Sequence, residues 1–243
     1  IYAAVNIEMQ KIARDEIQKG LKALDQRQGY RGALQKLEAD QIETFSQELE
    51  KKLQLKPLAP GLTIKGVVIA VDDKAGQVTV RMGSQRGTIH IDDMRWARKP
   101  NPEVAYYQAK IRRPSQALAV GDVIEVEVKD KGSEQGRWLL TLYQTPEVQA
   151  AMMCIEAGTG LVKVMVGGRD FLSSQFNRAV QSRRQPGSAF KPIIYSAALD
   201  KGYTPATVII DSPIVFEDEE HDFTWKPKNY GKKFYGPTLL RQA

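Results

Sequence analysis

Thr63-Ile64-Lys65-Gly66-Val67-Val68-Ile69-Ala70-Val71, then Asp72-Asp73-Lys74-Ala75-Gly76, then Gln77-Val78-Thr79-Val80-Arg81-Met82 is the stretch on which the fold turns. Apolar side chains recur with a period of two on both sides of a short polar turn, which is the pattern of two strands joined as a hairpin. Residues 87–91, 122–129 and 137–142 continue in the same style. The last two of these segments are joined by a polar turn around Gly132-Ser133-Glu134-Gln135-Gly136. Between the third and fourth strands, residues 95–116 are irregular and hold three prolines.

Five short strands with one long connection after the third predict a small all-β barrel of OB type. Pro57-Leu58-Ala59-Pro60-Gly61 marks its upstream boundary. Before that boundary the style is different. Residues 1–7 alternate (Ala3, Val5 and Ile7 against Tyr2, Ala4 and Asn6) and predict a strand. Asn6 then caps a helix striped by Met9, Ile12, Ala13, Ile17, Leu21 and Leu24. Gly29-Tyr30-Arg31-Gly32 is a loop, with Asp25, Arg27 and Arg31 as linker salt-bridge material. A second amphipathic helix covers about residues 37–53, striped by Ile42, Phe45, Leu49 and Leu53, with a solvated face of Glu, Gln and Lys.

Downstream, residues 150–156 and 161–166 form a hairpin around Ala157-Gly158-Thr159-Gly160, and Gly167-Gly168-Arg169-Asp170 ends its second strand. Residues 190–201 predict a mostly buried helix, closed by Gly202 at C′ with Lys201 in the last turn. After Tyr203 the local pattern is weak. The fold class is therefore α+β with an all-β barrel inserted, its ends close together. The parts run 1–56 (linker strand and helices), 57–143 (barrel) and 144–243.

Composition narrows the chemistry. Apolar residues are 42% and charged residues 26% of 243, enough for a packed core. No apolar run approaches the ~20 residues that span a bilayer, and no segment has the layout of a signal peptide. Lys and Arg exceed Asp and Glu by 35 to 29, a mildly basic balance that favours anionic partners. Cys154 is the single cysteine, which excludes an internal disulfide and a cysteine-based zinc site; it reads as core. His90 and His221 are far apart, and His90 reads as structural; no metal or cofactor is expected. Glu217-Asp218-Glu219-Glu220-His221-Asp222 reads as a solvated loop rather than a cation site, because nothing fixes ligand geometry. The first residue, Ile1, and an uncapped ending at Leu239-Leu240-Arg241-Gln242-Ala243 suggest a piece of a longer protein.

One stretch carries nucleophile chemistry: Arg184-Gln185-Pro186-Gly187-Ser188-Ala189-Phe190-Lys191-Pro192. Three residues of helix turn about 300°, so Ser188 and Lys191 share a face one turn apart. A serine hydroxyl needs a base, and a lysine serves when burial and cationic neighbours lower its pKa. The helix N-terminus adds positive potential around Ser188. Pro192 lacks an N–H, so distortion is expected at the helix start. Alone, Ser-x-x-Lys is a weak signal, since an ordinary capping serine gives the same letters.

The flanks extend it. Phe176-Asn177-Arg178-Ala179 and Arg184–Pro192 together resemble the nucleophile region of class A penicillin-binding proteins, and Gly160-Leu161-Val162-Lys163-Val164-Met165-Val166-Gly167-Gly168 is similar to the hairpin before it. Trp225-Lys226-Pro227-Lys228-Asn229-Tyr230 and Gly236-Pro237-Thr238-Leu239-Leu240-Arg241 resemble the stretch after it, and Gly29-Tyr30-Arg31-Gly32 the linker. The inserted barrel resembles the 1A type of Gram-negative envelopes. The resemblance implies a partial transpeptidase domain of β-lactamase-like fold that cross-links peptidoglycan stem peptides ending in D-Ala-D-Ala and is acylated by β-lactams. It implies Ser188 as nucleophile and Lys191 as leading base, with Asn177, Arg178, Gln185, Gly187, Trp225, Asn229 and Tyr230 binding substrate or bracing the site. It also implies a periplasmic location at the inner membrane, membrane contact only through an N-terminal anchor that this chain lacks, and an envelope activator at the barrel. The family's later Ser-x-Asn and Lys-Thr-Gly elements are absent from the chain, so no turnover by the chain itself is expected.

Lys65-Gly66-Val67-Val68-Ile69, Gly87-Thr88-Ile89-His90-Ile91 and Val120-Gly121-Asp122-Val123-Ile124 also resemble RNA-binding OB folds of translation factors. The rival reading is a nucleic-acid- or partner-binding module. Its platform would be Trp96, Tyr106, Tyr107 and Trp138, amid Arg95, Arg98, Lys99, Lys110, Arg112 and Arg113. Nucleic acid is the less favoured partner of the two.

Overall fold

The computed structural model describes residues 3–55, 57–132 and 137–242, so the polar turn predicted at 133–136 lies outside them. The chain divides into two units, Ile1–Ser182 and Arg183–Ala243.

The first unit opens with helix α1 (Ile7–Gln28). Asn6 caps it as expected: its Oδ1 accepts the Met9 N–H at 3.0 Å. The strand predicted over residues 1–7 does not form in the described part, 3–6, and Ile7 already belongs to the helix. Only the Asn6 N–H reaches a strand neighbour, the Lys163 carbonyl, at 2.9 Å. An alternating run of so few residues becomes a strand only if a ladder meets it, and here the cap starts the helix first. The buried stripe is Ala13, Ile17, Leu21 and Asp25, an unbroken i, i+4 series. Met9 and Ile12, read as part of it, are exposed.

Strand β1 (Gln35–Lys36) and helix α2 (Gln41–Leu55) lead to the barrel. Its strands are β2 (Thr63–Asp72), β3 (Gln77–Met82), β4 (Gln85–His90), β5 (Asp122–Lys131) and β6 (Trp138–Tyr143). They pair in the order β5-β2-β3-β4-β6, and β6 returns to β5, closing the barrel; β1 adds to β5 from outside. Only β4 and β6 run parallel. Closure leaves the five strands no free edge. Register shifts between Val68 and Ala70 in β2, and between Val128 and Asp130 in β5, are bulges that bend strands far enough to close a small ring.

Inward residues alternate as the sequence predicts: Val68, Val78, Val80, Met82, Ile89, Ile124, Val126, Leu140 and Leu142 are fully buried. The irregular connection supplies the plug. Met94, Ala97, Ile111 and Leu118 are buried in the same core, and Tyr30 packs there edge-on to Trp96 with ring centroids 5.8 Å apart. Helix α2 lays Leu53 on this core and is tied to β3 by Arg81–Glu43 (2.8 Å) and to the β3–β4 turn by Glu50, which accepts the Ser84 N–H at 2.6 Å.

A single arginine gathers both ends of the barrel. Arg31 donates to Asp25 Oδ1 at the end of α1 (2.6 Å) and to the Thr145 carbonyl just past β6 (2.7 Å). Its N–H goes to Gln144 Oε1 at 3.0 Å, and Gln144 donates back to the Gly29 carbonyl at 2.8 Å. Of the linker residues expected to pair, Asp25 and Arg31 do. Arg27 instead contributes its carbonyl, to the buried Arg98 guanidinium at 2.8 Å.

Strands β7 (Met152–Ile155) and β8 (Val162–Val166) form the expected hairpin. Val164 and Val166 pack on the α1 stripe, with Cys154 half-buried beside them.

The second unit holds a 3-10 turn (Gly187–Phe190) running into helix α3 (Lys191–Asp200), then β9 (Val208–Asp211), β10 (Phe216–Asp218), β11 (Phe223–Trp225) and β12 (Gly236–Leu239), paired β10–β11 and β9–β12. Helix α3 ends as predicted. Gly202 has φ 86°, its N–H reaches the Leu199 carbonyl at 3.0 Å, and the Tyr203 N–H reaches the Ala198 carbonyl at 3.1 Å, a Schellman closure. The expectation that this helix is mostly buried fails: none of its residues is buried, and Ile193 and Ile194 are 59% and 54% exposed. An apolar stripe states what a helix needs covered, but it does not supply the cover, and two-stranded sheets of three and four residues offer little surface.

Candidate active site

The local chain geometry around Ser188 follows from its neighbours. Gly187 takes φ 51°, in the left-handed region, where a side chain would be strained. The turn that follows is 3-10 rather than α, which is the distortion Pro192 predicts. The proline cannot donate to the Ser188 carbonyl, and the Lys191 N–H does so instead from three residues on. In a 3-10 turn, residues i and i+3 eclipse. The Ser188 and Lys191 side chains therefore leave the backbone on one side, more closely aligned than on an α-helix. Both are exposed, so the burial that a lysine base needs is not provided by the described residues of this unit.

Gln185 and Trp225 are exposed, and Tyr230 is fully so. Asn229 is held: its side-chain N–H groups bond Asp211 Oδ1 (2.9 Å), Asp211 Oδ2 (2.8 Å) and the Lys233 carbonyl (2.9 Å), and Asp211 Oδ2 also accepts the Tyr235 N–H at 2.9 Å. Asp211, which sequence reading passed over, is thus the centre that orders the loop between β11 and β12. Its signal is faint, a lone carboxylate ending an apolar run. In the acidic loop, His221 Nδ1 lies 3.0 Å from Asp218 Oδ2. No group of three or more metal-binding side chains occurs among the described residues.

Asn177 and Arg178 belong to the first unit and form a brace. The Arg178 N–H bonds the Gly167 carbonyl at 2.9 Å, Asn177 Oδ1 accepts the Ala179 N–H at 3.1 Å, and the Asn177 N–H donates to Gln181 Oε1 at 2.6 Å. A Cβ on Gly167 would stand 2.6 Å from Asn177 Oδ1 and 2.8 Å from its Cα, so the Gly167–Gly168 break is the notch that seats this segment. The guanidinium of Arg178 lies over Phe176, 5.4 Å from the ring centroid. Nearby, the Leu172 N–H and the Ser173 backbone and hydroxyl hold the Asp170 carboxyl below its ordinary range, the Leu172 bond first.

Comparison with known proteins gives these features a family. Residues 30–148 match the penicillin-binding protein OB-like domain, and residues 150–243 the penicillin binding protein transpeptidase domain. Penicillin-binding protein 1A of Pseudomonas aeruginosa is 34% identical over 243 residues, covering all of this chain and 28% of that protein. The Vibrio cholerae protein of the same name is 36% identical over 250 residues, with 99% and 29% covered. The solved structure of penicillin-binding protein 1A from Haemophilus influenzae matches with a TM-score of 0.66 at 28% identity, over 100% of this chain and 32% of that one. The chain thus spans somewhat over a quarter of the length of these curated relatives. The two matched domains, over residues 30–148 and 150–243, are both penicillin-binding protein domains, and the chain belongs to the penicillin-binding protein family, within a region shared with the 1A type.

Proposed function

We propose that the protein is a serine-type DD-transpeptidase of the bacterial cell wall. The alignment of Ser188 and Lys191 by the turn Gly187–Phe190 carries this reading, together with the transpeptidase match over residues 150–243. Ser188 Oγ adds to the carbonyl carbon of the penultimate D-Ala while Lys191 takes its proton. The C–N bond breaks, and the terminal D-Ala leaves as an amine carrying a proton. The amine of a neighbouring strand then displaces Ser188 and restores its hydroxyl. The Ser188 N–H is one oxyanion donor. The second belongs to a Lys-Thr-Gly strand that this sequence does not contain, and one missing donor lowers a rate about 10²–10³-fold. Turnover on this reading draws on both donors.

On this reading Asn177, Arg178 and Asn229 are bracing residues, each within its own unit, because their side chains bond other groups of the protein. The parts 1–56, 57–143 and 144–243 are linker, barrel and partial transpeptidase. The setting is the periplasmic face of a Gram-negative inner membrane, and an envelope activator protein engages the barrel. The nucleic-acid reading loses part of its platform: Trp96 packs against the core, Arg98 is buried, and Arg95 pairs with Asp92 at 2.6 Å, while Tyr106, Tyr107, Lys99, Lys110, Arg112 and Arg113 stay exposed.

The test is labelling of the full-length protein containing this chain with a fluorescent penicillin, followed by mass spectrometry. One adduct at Ser188, lost in Ser188→Ala and slowed by orders of magnitude in Lys191→Ala, is expected. An adduct elsewhere would refute the assignment. Rapid stoichiometric labelling of the 243-residue chain by itself would refute the need for the absent elements.

A further inference from the structure

We infer that the first unit carries an oxyanion-binding site in a cavity of about 270 Å³ between α1, the end of β8 and the loop at 169–177. Two guanidinium groups, Arg14 and Arg169, line it, and no Asp or Glu does. Among the described residues neither arginine is in an ion pair, and the Nε of Arg169 is buried without a hydrogen-bond partner. Asp170, next in sequence, offsets part of the Arg169 charge, but its carboxylate is held by the N–H groups of Leu172 (3.2 Å) and Ser173 (3.0 Å) and forms no ion pair among the described residues.

Two like charges lining one cavity repel. An anion in the cavity relieves that repulsion. Ser174 can add a donor: its Oγ accepts from Arg178 at 3.4 and 3.5 Å, which leaves the hydroxyl proton free. Gln10 bonds Met165 through both ends of its amide, at 2.8 and 3.0 Å, and its Nε2 keeps a second N–H. Phe171 and Phe176 at the rim are 68% and 48% exposed and offer ring faces. The site suits a phosphate or carboxylate on a compact scaffold, and its concavity fits a discrete group better than a bilayer surface.

Isothermal titration of the full chain with inorganic phosphate and, separately, glucuronate tests this. Saturable binding of at least one is expected, weakened about tenfold in Arg14→Gln and in Arg169→Gln and further in the pair, as loss of a charge-assisted hydrogen bond predicts. A preference between the probes tells a phosphate-bearing source from a carboxylate-bearing one. Lys36→Gln/Lys51→Gln, an equal charge change on exposed residues elsewhere, leaves binding intact. Arg169→Lys and the exposed Arg14 variant keep the test valid if Arg169→Gln misfolds. Absence of saturable binding for both probes, or equal weakening in the Lys36/Lys51 control, overturns the proposal.

Discussion

Removing the Arg31 side chain should loosen the barrel from α1. Asp25 is 1% exposed, its Oδ1 is 2.6 Å from the Arg31 guanidinium, and its Oδ2 has no partner among the described residues. Arg31→Ala leaves that carboxylate buried with no cation, and breaking one side of a buried pair costs about 3–5 kcal/mol. The Arg31 side chain is itself 31% exposed, so water reaches the vacated space and the low end, about 3 kcal/mol, is expected. The bond to the Thr145 carbonyl is lost too. The pair with Glu147 adds little, because Glu147 is 76% exposed. Arg31→Lys keeps the charge beside Asp25 but cannot also reach Thr145, so it should lose about half as much. In a double-mutant cycle, Asp25→Asn should rescue Arg31→Ala in part, since the stranded charge goes with it. The assay is guanidinium unfolding followed by the fluorescence of Trp96 and Trp138, both partly buried against the barrel core. A loss below about 1 kcal/mol in Arg31→Ala, or additive single variants, would refute the clasp.

Gly66→Ala should destabilise the barrel by about 1–3 kcal/mol in the same unfolding assay, because the new Cβ would lie 2.5 Å from Val80 Cγ1 and 3.1 Å from the Arg81 carbonyl oxygen. Gly167→Ala should spare the barrel but free the segment at Asn177, seen as faster hydrogen exchange at the Arg178 and Ala179 N–H groups; unchanged exchange would exclude the notch. Tyr30 is buried, which raises its pKa well above the ordinary value, with Asp122 and Glu125 adding to the shift. Its raised folded pKa means that stability is complete below the unfolded value of about 10 and falls as pH rises past it. Tyr30→Phe should flatten that alkaline fall in the unfolding midpoint, leaving the smaller part due to Tyr143, whose pKa burial also raises.

Much of the barrel could be read from residues because its order is local: a strand with one face on a core must alternate, and a turn between two such strands must be polar. The plug could not. Met94, Ala97, Ile111 and Leu118 have no common period, and only the closed ring gives their separate positions one destination. Reading residues 1–7 as a strand fails for the same reason in reverse, since alternation without a partner ladder does not oblige a strand. After Tyr203 the strands are three or four residues long and mostly exposed, too short for period two to stand out.

The candidate site divides along that line. The relative placement of Ser188 and Lys191 is fixed by neighbours in sequence: Gly187 allows φ 51°, Pro192 removes a donor, and the Lys191 N–H closes the shorter turn. Such geometry survives wherever the segment is placed, so a four-residue pattern could predict it. What would make a lysine a base is different: desolvation and charges brought from elsewhere in the fold are encoded by no local pattern. It follows that a conservative Lys191→Arg exchange should leave the turn intact while removing the base, since guanidinium stays protonated at any working pH. In the full-length protein this variant should bind a β-lactam without being acylated. Acylation at the parent rate would mean that another group takes the serine proton.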